Sequence, residues 1–269
     1  ASVLAAPRAD YTARLLGDAP ALSARDFLPE PAGEPAIVAR DLVKEFRGFR
    51  AVDGVSFEVA RGSTHALVGE SGSGKTTTAR MVARFADPTS GTVEVAGAET
   101  DFRRHVQLVY QNPYGSLDPR QTVARIIEEP LRNFKLDGSA RDLVERVALP
   151  EDVLGRKPRE LSGGQRQRVA IARALAVEPE VLILDEAVSA LDVTVQAQIL
   201  DLLAELQRDL GLTYLFISHD LAVVRQISHT VSVMNKGRIV EFGTTERVFT
   251  DPRDDYTREL LAAIPEAVR

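Results

Sequence analysis

The octapeptide Gly-Glu-Ser-Gly-Ser-Gly-Lys-Thr at residues 69–76 restricts the fold of this chain more than any other stretch. The spacing G-x-x-x-x-G-K-T fits a phosphate-binding loop, which requires a strand before it and a helix after it. Glycines let successive backbone N–H groups curl around phosphate oxygens, and the following helix adds its positive end. The apolar run Thr-His-Ala-Leu-Val before Gly69 supplies the strand, and residues 76–85 read as the helix. The loop candidates are Gly69, Ser71, Gly72, Ser73, Gly74, Lys75, Thr76 and Thr77. Lys75 would reach the β- and γ-phosphates, and the Thr76 hydroxyl would ligate Mg²⁺.

The rest of the chain supplies what such a loop needs. Val-Leu-Ile-Leu-Asp-Glu at 181–186 reads as a buried parallel strand, with Asp185 at its end facing a metal and Glu186 able to polarise water. Residues 192–210 carry Val195, Ile199, Leu202, Leu203, Leu206 and Leu210 on one helical face, stopped by Gly211. Thr-Tyr-Leu-Phe-Ile-Ser-His-Asp from 213 is a further strand, residues 51–62 alternate like a half-buried one, and residues 231–242 form a hairpin about Asn235-Lys236-Gly237. Residues 121–149 read as helical, interrupted at Pro130, with Ser139 as a cap. Strands alternating with helices predict an α/β core with a parallel sheet and a helical insert.

Composition removes several classes. Apolar runs fall far short of the roughly 20 residues that span a bilayer, so a soluble chain is expected. There is no cysteine, which excludes disulfides, thiolate metal sites and iron–sulfur clusters within this sequence. His65, His105, His219 and His229 show no i,i+4 pairing with carboxylates, and a zinc site is not expected. The formal charge of −6 gives no long-range pull on nucleic acid.

Residues 161–175, Leu-Ser-Gly-Gly-Gln-Arg-Gln-Arg and onward, place two glycines at a helix start, where Ser162 and the Gly163 and Gly164 N–H groups can bind an anion. With the phosphate loop and the 181–186 strand in order, the chain resembles the ATP-binding cassette (ABC) ATPases over about residues 37–263. The resemblance implies a P-loop NTPase core with a parallel sheet, an N-terminal antiparallel β subdomain and an inserted helical subdomain. It implies that Gln111 senses the γ-phosphate, joins Thr76 and Asp185 around Mg²⁺ and faces a transmembrane partner. His219 matches the switch histidine, and residues 189–192 match the D-loop, with Asp192 at the nucleotide. Phe46, 29 residues before Lys75, matches the adenine-stacking aromatic, with Phe49 as a competitor. Catalysis would fall to Glu186, His219, Lys75 and Gln111. His105, His229, Glu70 and Arg166 read as structural.

In this family two cassettes pack head to tail. Ser162, Gly163, Gly164 and Gln165 would therefore complete the site of a second cassette, in the same polypeptide or a homodimer. Residues 112–120 resemble the oligopeptide, dipeptide and nickel importer group. That group implies transmembrane permease subunits, an extracytoplasmic solute-binding protein and a peripheral position on the cytoplasmic face of the cell membrane. Ala187 stands where that group often has Pro, and Asp254-Asp255 where it has His-Pro. Rival readings are a soluble ABC ATPase of DNA repair or translation, and a regulatory module without turnover.

The chain also repeats itself. Residues 7–20 and 252–265 are identical at eight of fourteen positions, including Tyr11 and Tyr256. If the second copy ends one cassette, the first resembles the end of another upstream, and a tandem polypeptide is expected. The resulting division is 1–24 upstream tail, 25–35 linker, 36–111 and 166–250 nucleotide-binding core, 112–165 helical subdomain with the signature, and 251–269 C-terminal extension.

Overall fold

The computed structural model describes residues 32–98 and 100–263; the first copy of the repeat lies outside the described residues. A two-residue turn at Arg47-Gly48, both in the left-handed region, folds β1 (Ala32–Phe46) back on β2 (Phe49–Arg61). β1 thus begins within the stretch read as linker. After β3 (Thr64–Val68) and the phosphate loop come α1 (Lys75–Val82) and β4 (Ser90–Val95). β4 pairs with β1 to complete an antiparallel sheet of order β2-β1-β4. The helix expected over 76–85 stops at Val82, and Arg84 follows in the left-handed region.

β5 (Val106–Tyr110) leads into the insert, which holds α2 (Val123–Phe134), α3 (Ala140–Arg146) and α4 (Gly163–Leu175). Then follow β6 (Val181–Asp185), α5 (Val193–Leu210), β7 (Thr213–Ile217), α6 (Leu221–Ile227), β8 (Thr230–Asn235) and β9 (Arg238–Thr244). Two short helices, α7 (Thr245–Thr250) and α8 (Asp255–Ala262), close the described residues. The main sheet has the order β5-β6-β7-β3-β8-β9, parallel from β5 through β8, with β9 antiparallel at its edge. This is the α/β core with parallel sheet, antiparallel β subdomain and inserted helices.

Alternation along three buried strands divides the interior in two. Ala66, Val68, Leu182, Leu184, Tyr214 and Phe216 face a core shared with the inserted helices and α5. Leu67, Val181, Ile183, Leu215 and Ile217 face the opposite core, shared with α1 and the β subdomain. Both faces are covered, which is why these strands read as unbroken apolar runs. Of the six α5 residues expected on one face, Ile199, Leu202, Leu203 and Leu206 are buried, Val195 is partly buried, and Leu210 is exposed at the helix end.

Pro130 does not interrupt its helix: α2 continues from Val123 to Phe134. An internal proline costs a helix about 3 kcal/mol. Burial of Val123, Ile126, Ile127 and Leu131 against the larger core offsets that cost, since each such side chain contributes about 1.5–3 kcal/mol.

His65 is the one histidine in the centre of the sheet. Its ring stacks on Phe57 at 5.1 Å, its Nδ1 lies 2.8 Å from Thr230 Oγ1, and it is fully buried. Burial lowers its pKa from 6.5 to about 3. Between those values the unfolded chain takes up a proton that the folded chain does not, so stability falls as pH drops, by up to about 1.4 kcal/mol per pH unit. His65→Leu is expected to lower Tm at neutral pH, yet to flatten the decline of Tm between about pH 7 and about pH 5. An unchanged slope in thermal denaturation would contradict a neutral buried imidazole.

Candidate nucleotide-binding site

The parallel strands end along one edge of the main sheet, and the sequence-predicted residues follow those ends. Lys75 and Thr76 open α1 after β3, Asp185 and Glu186 close β6, and His219 follows β7. Gln111 follows Tyr110, whose register partner is Asp185. Open parallel sheets bind ligands at this edge.

The loop at 69–74 is held by backbone approach. Gly69 (φ 144°) and Gly74 (φ 107°) both have positive φ. A Cβ on Gly69 would collide with the Met234 carbonyl oxygen, and one on Gly74 would lie 2.7 Å from the Ala51 carbonyl oxygen. The turn of the β8–β9 hairpin contacts the loop directly, since Gly237 N–H donates to Ser73 O at 3.0 Å. The sequence revealed that hairpin but not its contact with the loop. Gly74→Ala is expected to cost about 2 kcal/mol or more and to abolish nucleotide binding. Gly54→Ala (φ 70°), where a Cβ meets nothing within 4 Å, should cost only about 1 kcal/mol. Thermal denaturation and ATP titration of both variants check this; equal effects would refute the steric argument.

Lys75 is 4% exposed, and its Nζ donates to the Gly69 and Glu70 carbonyl oxygens, each at 2.8 Å. Burial lowers its pKa, opposed by the charges of Glu186 and Asp185. Asp185 is 8% exposed; burial raises its pKa, the Thr76 hydrogen bond opposes that rise and Glu186 reinforces it. The Thr76 hydroxyl donates to Asp185 Oδ1 at 3.1 Å. A hydroxyl and a desolvated carboxylate side by side suit Mg²⁺, which takes one or two protein oxygens and completes its shell with phosphate and water. Among the described residues no cluster of three His, Cys, Asp or Glu could form an all-protein metal cage.

Glu186 has positive φ (50°), a conformation uncommon for a residue with a side chain. Its N–H donates to Ile217 O at 3.0 Å, and its carbonyl accepts from Ser189 N at 3.1 Å and Ser189 Oγ at 3.0 Å. Gln111 Nε2 in turn donates to Ser189 Oγ at 3.2 Å. Ser189, to which the sequence assigned no separate role, therefore links the glutamine to the backbone of the acid. His219 Nδ1 lies 3.5 Å from Glu186 Oε2, while Asp220 caps α6 through Ala222 N at 2.9 Å and fixes the start of that helix.

The signature residues open α4. Ser162 Oγ accepts from Gln165 N and Gln165 Oε1 accepts from Ser162 N, a capping box that opens α4. A Cβ on Gly164 would collide with Val195, and one on Gly163 would lie 3.5 Å from Leu191. These neighbours belong to the start of α5 and the segment before it, where Asp192 Oδ1 accepts from Val195 N at 3.0 Å as a helix cap. Phe46 and Phe49 are register partners at the β1–β2 tip, 49% and 67% exposed, with Lys44 Nζ 5.2 Å from the Phe46 ring centroid. Both remain open to stack on a base. His105 pairs with Glu180 at 3.0 Å and His229 Nδ1 accepts from Thr64 N at 3.0 Å, both structural contacts.

A family model described as ABC transporter matches residues 52–189. The glutathione import ATP-binding protein GsiA of Escherichia coli (strain K12) is 45% identical over 312 aligned positions, covering 97% of this chain and 50% of the relative. The protein of the same name from Salmonella choleraesuis (strain SC-B67) is 48% identical over 261 positions, covering 87% and 42%. The chain thus spans about half the length of the curated relatives it matches. Among solved structures, cbiO1 from Clostridium perfringens, part of the ABC transporter complex cbiONQ, aligns with a TM-score of 0.74 at 28% identity, covering 86% of this chain and 96% of that one. A post-hydrolysis dimer of the ATP-binding cassette MJ0796 bound to ADP and Pi aligns at 0.69 and 28% identity, over 78% and 98%.

Proposed function

The chain belongs to the ABC transporter family, and from that premise we propose that it binds and hydrolyses MgATP to energise solute uptake through membrane permease subunits. The observation that carries this is the convergence of Lys75, Thr76, Asp185, Glu186 and His219 on one sheet edge. Gly69, Ser71, Gly72, Ser73, Gly74 and Thr77 surround the phosphates, and Phe46 or Phe49 stacks on the adenine. Thr76, Asp185 and Gln111 would hold Mg²⁺, which would supply charge neutralisation on the phosphate oxygens. Lys75, held by two loop carbonyls, has a further N–H to donate to phosphate. Glu186 orients the attacking water and accepts its proton, and His219, hinged at the capped start of α6, steadies the γ-phosphate.

Glu186→Gln tests the acid while keeping its shape. Retained MgATP affinity with turnover reduced at least about a hundredfold is expected; turnover near wild type would exclude this role. Both measurements need only the purified protein and a phosphate-release assay.

Ser162, Gly163, Gly164, Gln165 and Asp192 serve a second cassette packed head to tail, the arrangement that the family resemblance implies. The repeat at 7–20 and relatives of about twice the matched length support that second cassette lying in the same polypeptide. Solutes of the oligopeptide or dipeptide class suit relatives named for import of glutathione, itself a tripeptide. An extracytoplasmic binding protein would deliver them. Relatives named for import favour this reading over DNA repair or translation. No helix among the described residues is long and apolar enough to cross a membrane, so a cytoplasmic-face, peripheral position depends on the permease.

A groove of about 820 Å³ between the end of α1, β5 and α2, lined by Phe85, Phe102, Leu108, Glu129 and Phe134, suits a permease segment. Phe85 there is largely exposed. Phe85→Asp is expected to abolish co-purification of multi-span membrane proteins from detergent extracts while basal ATPase persists. Undiminished co-purification would exclude the groove.

A further inference from the structure

The last helix touches the phosphate loop, and a buried carboxylate fixes where it does so. Glu241, on β9, has a side chain only 4% exposed. It accepts from Arg253 N at 3.0 and 3.2 Å, from Asp254 N at 3.2 Å and from Arg247 Nη1 at 2.9 Å. Burial pushes its pKa up, but these donors outweigh burial and hold it below the usual value. Residues 253–254 are thereby pinned to the sheet edge. Asp254 then caps α8 by accepting from Tyr256 N at 3.0 Å, which sets the first turn and the direction of the Tyr256 ring. That ring, with Leu260 and Leu261, packs against the larger core.

At the end of this chain of contacts the Tyr256 hydroxyl oxygen accepts the Glu70 N–H at 3.1 Å. Glu70 is the second residue of the phosphate loop, and its carbonyl oxygen accepts from Lys75 Nζ at 2.8 Å. One loop residue is therefore held at its carbonyl from inside the loop and at its amide from the C-terminal helix. The two ties differ in origin. The inner tie is shared, since the Glu70 carbonyl oxygen also accepts from Ser73 N at 3.2 Å, whereas the amide is held from outside the loop by Tyr256.

We propose that Tyr256 is a positioning residue for nucleotide binding: by accepting the Glu70 N–H from outside the loop it fixes the shape of the loop opening that receives the phosphates. The segment from Arg253 to Ala262 is then part of the nucleotide site and not an appended tail. Burial, opposed by the Glu70 amide and reinforced by the Glu70 carboxylate, raises the phenol pKa, so the hydroxyl stays neutral at physiological pH. The repeat gains a meaning as well. Its eight identities include the Asp-Tyr-Thr triplet, with Tyr11 in the register of Tyr256. An upstream cassette ending at residues 7–20 would have the same strut for its own loop.

This inference rests on the MgATP reading, and the test separates the two. Tyr256→Phe keeps the ring and its packing and removes only the acceptor. In the purified full-length protein, amide hydrogen exchange at Glu70 is expected to quicken about tenfold without nucleotide. KM for ATP should rise about fivefold with kcat within about twofold of wild type, as loss of one hydrogen bond predicts. If wild type binds MgATP and the variant matches it in both Glu70 exchange and KM, this proposal alone falls. A fall in kcat at unchanged KM would also overturn it. If wild type binds no MgATP, the nucleotide reading fails and takes the proposal with it.

Discussion

Everything at the candidate site depends on one close approach of backbones: the phosphate loop against the turn of the last hairpin and the start of β2. The Met234 and Ala51 carbonyl oxygens occupy the space where Cβ atoms of Gly69 and Gly74 would sit, and Gly237 N–H closes the contact on Ser73 O. Asp53 N–H in turn donates to Gly237 O at 2.8 Å. The β subdomain, the edge of the main sheet and the phosphate loop thus meet through main-chain atoms. Side-chain variation elsewhere leaves such a contact intact, but a single methyl group at Gly74 does not.

The two cores explain how polar chemistry survives at this edge. Strands β3, β6 and β7 are buried along their whole length, so the polar groups of the candidate site gather at their ends. Desolvation there raises the pKa of Asp185 and lowers that of Lys75. Each shift reflects burial of a charge, and a magnesium-bound triphosphate would bring a cation for the aspartate and anions for the lysine.

What could be read from the sequence follows the range of the interactions involved. The phosphate loop, β6, β7 and α5 were legible because each is specified by local spacing: fixed glycines, an unbroken apolar run, or a 3.6-residue stripe closed by Gly211. The capping box Ser162–Gln165 is equally local. Pro130 misled because its penalty is local while the compensating burial of Ile126, Ile127 and Leu131 is tertiary. Ser189 and Tyr256 carried no local signal of a role, since each acts through a contact distant in sequence, with Gln111 and with Glu70. Phe46 and Phe49 stayed undivided for a simpler reason: a two-residue turn pairs them on one exposed tip, and only a bound base distinguishes them.

The signature helix supports the proposal that a single cassette works with a second one. The first turn of α4 leaves the N–H groups of Gly163 and Gly164 without intrahelical acceptors, a consequence of helix geometry. The capping box uses the N–H groups of Ser162 and Gln165, not these two. Gly164 lies so close to Val195 that α4 cannot rotate to bring them elsewhere without moving α5. A helix end rigidly mounted on the D-loop side, with free donors and a positive dipole, is suited to an anion delivered from outside the chain. A triphosphate held by the loop of a second cassette is such an anion, and binding it would tie two nucleotide sites together through the packing of α4 on α5.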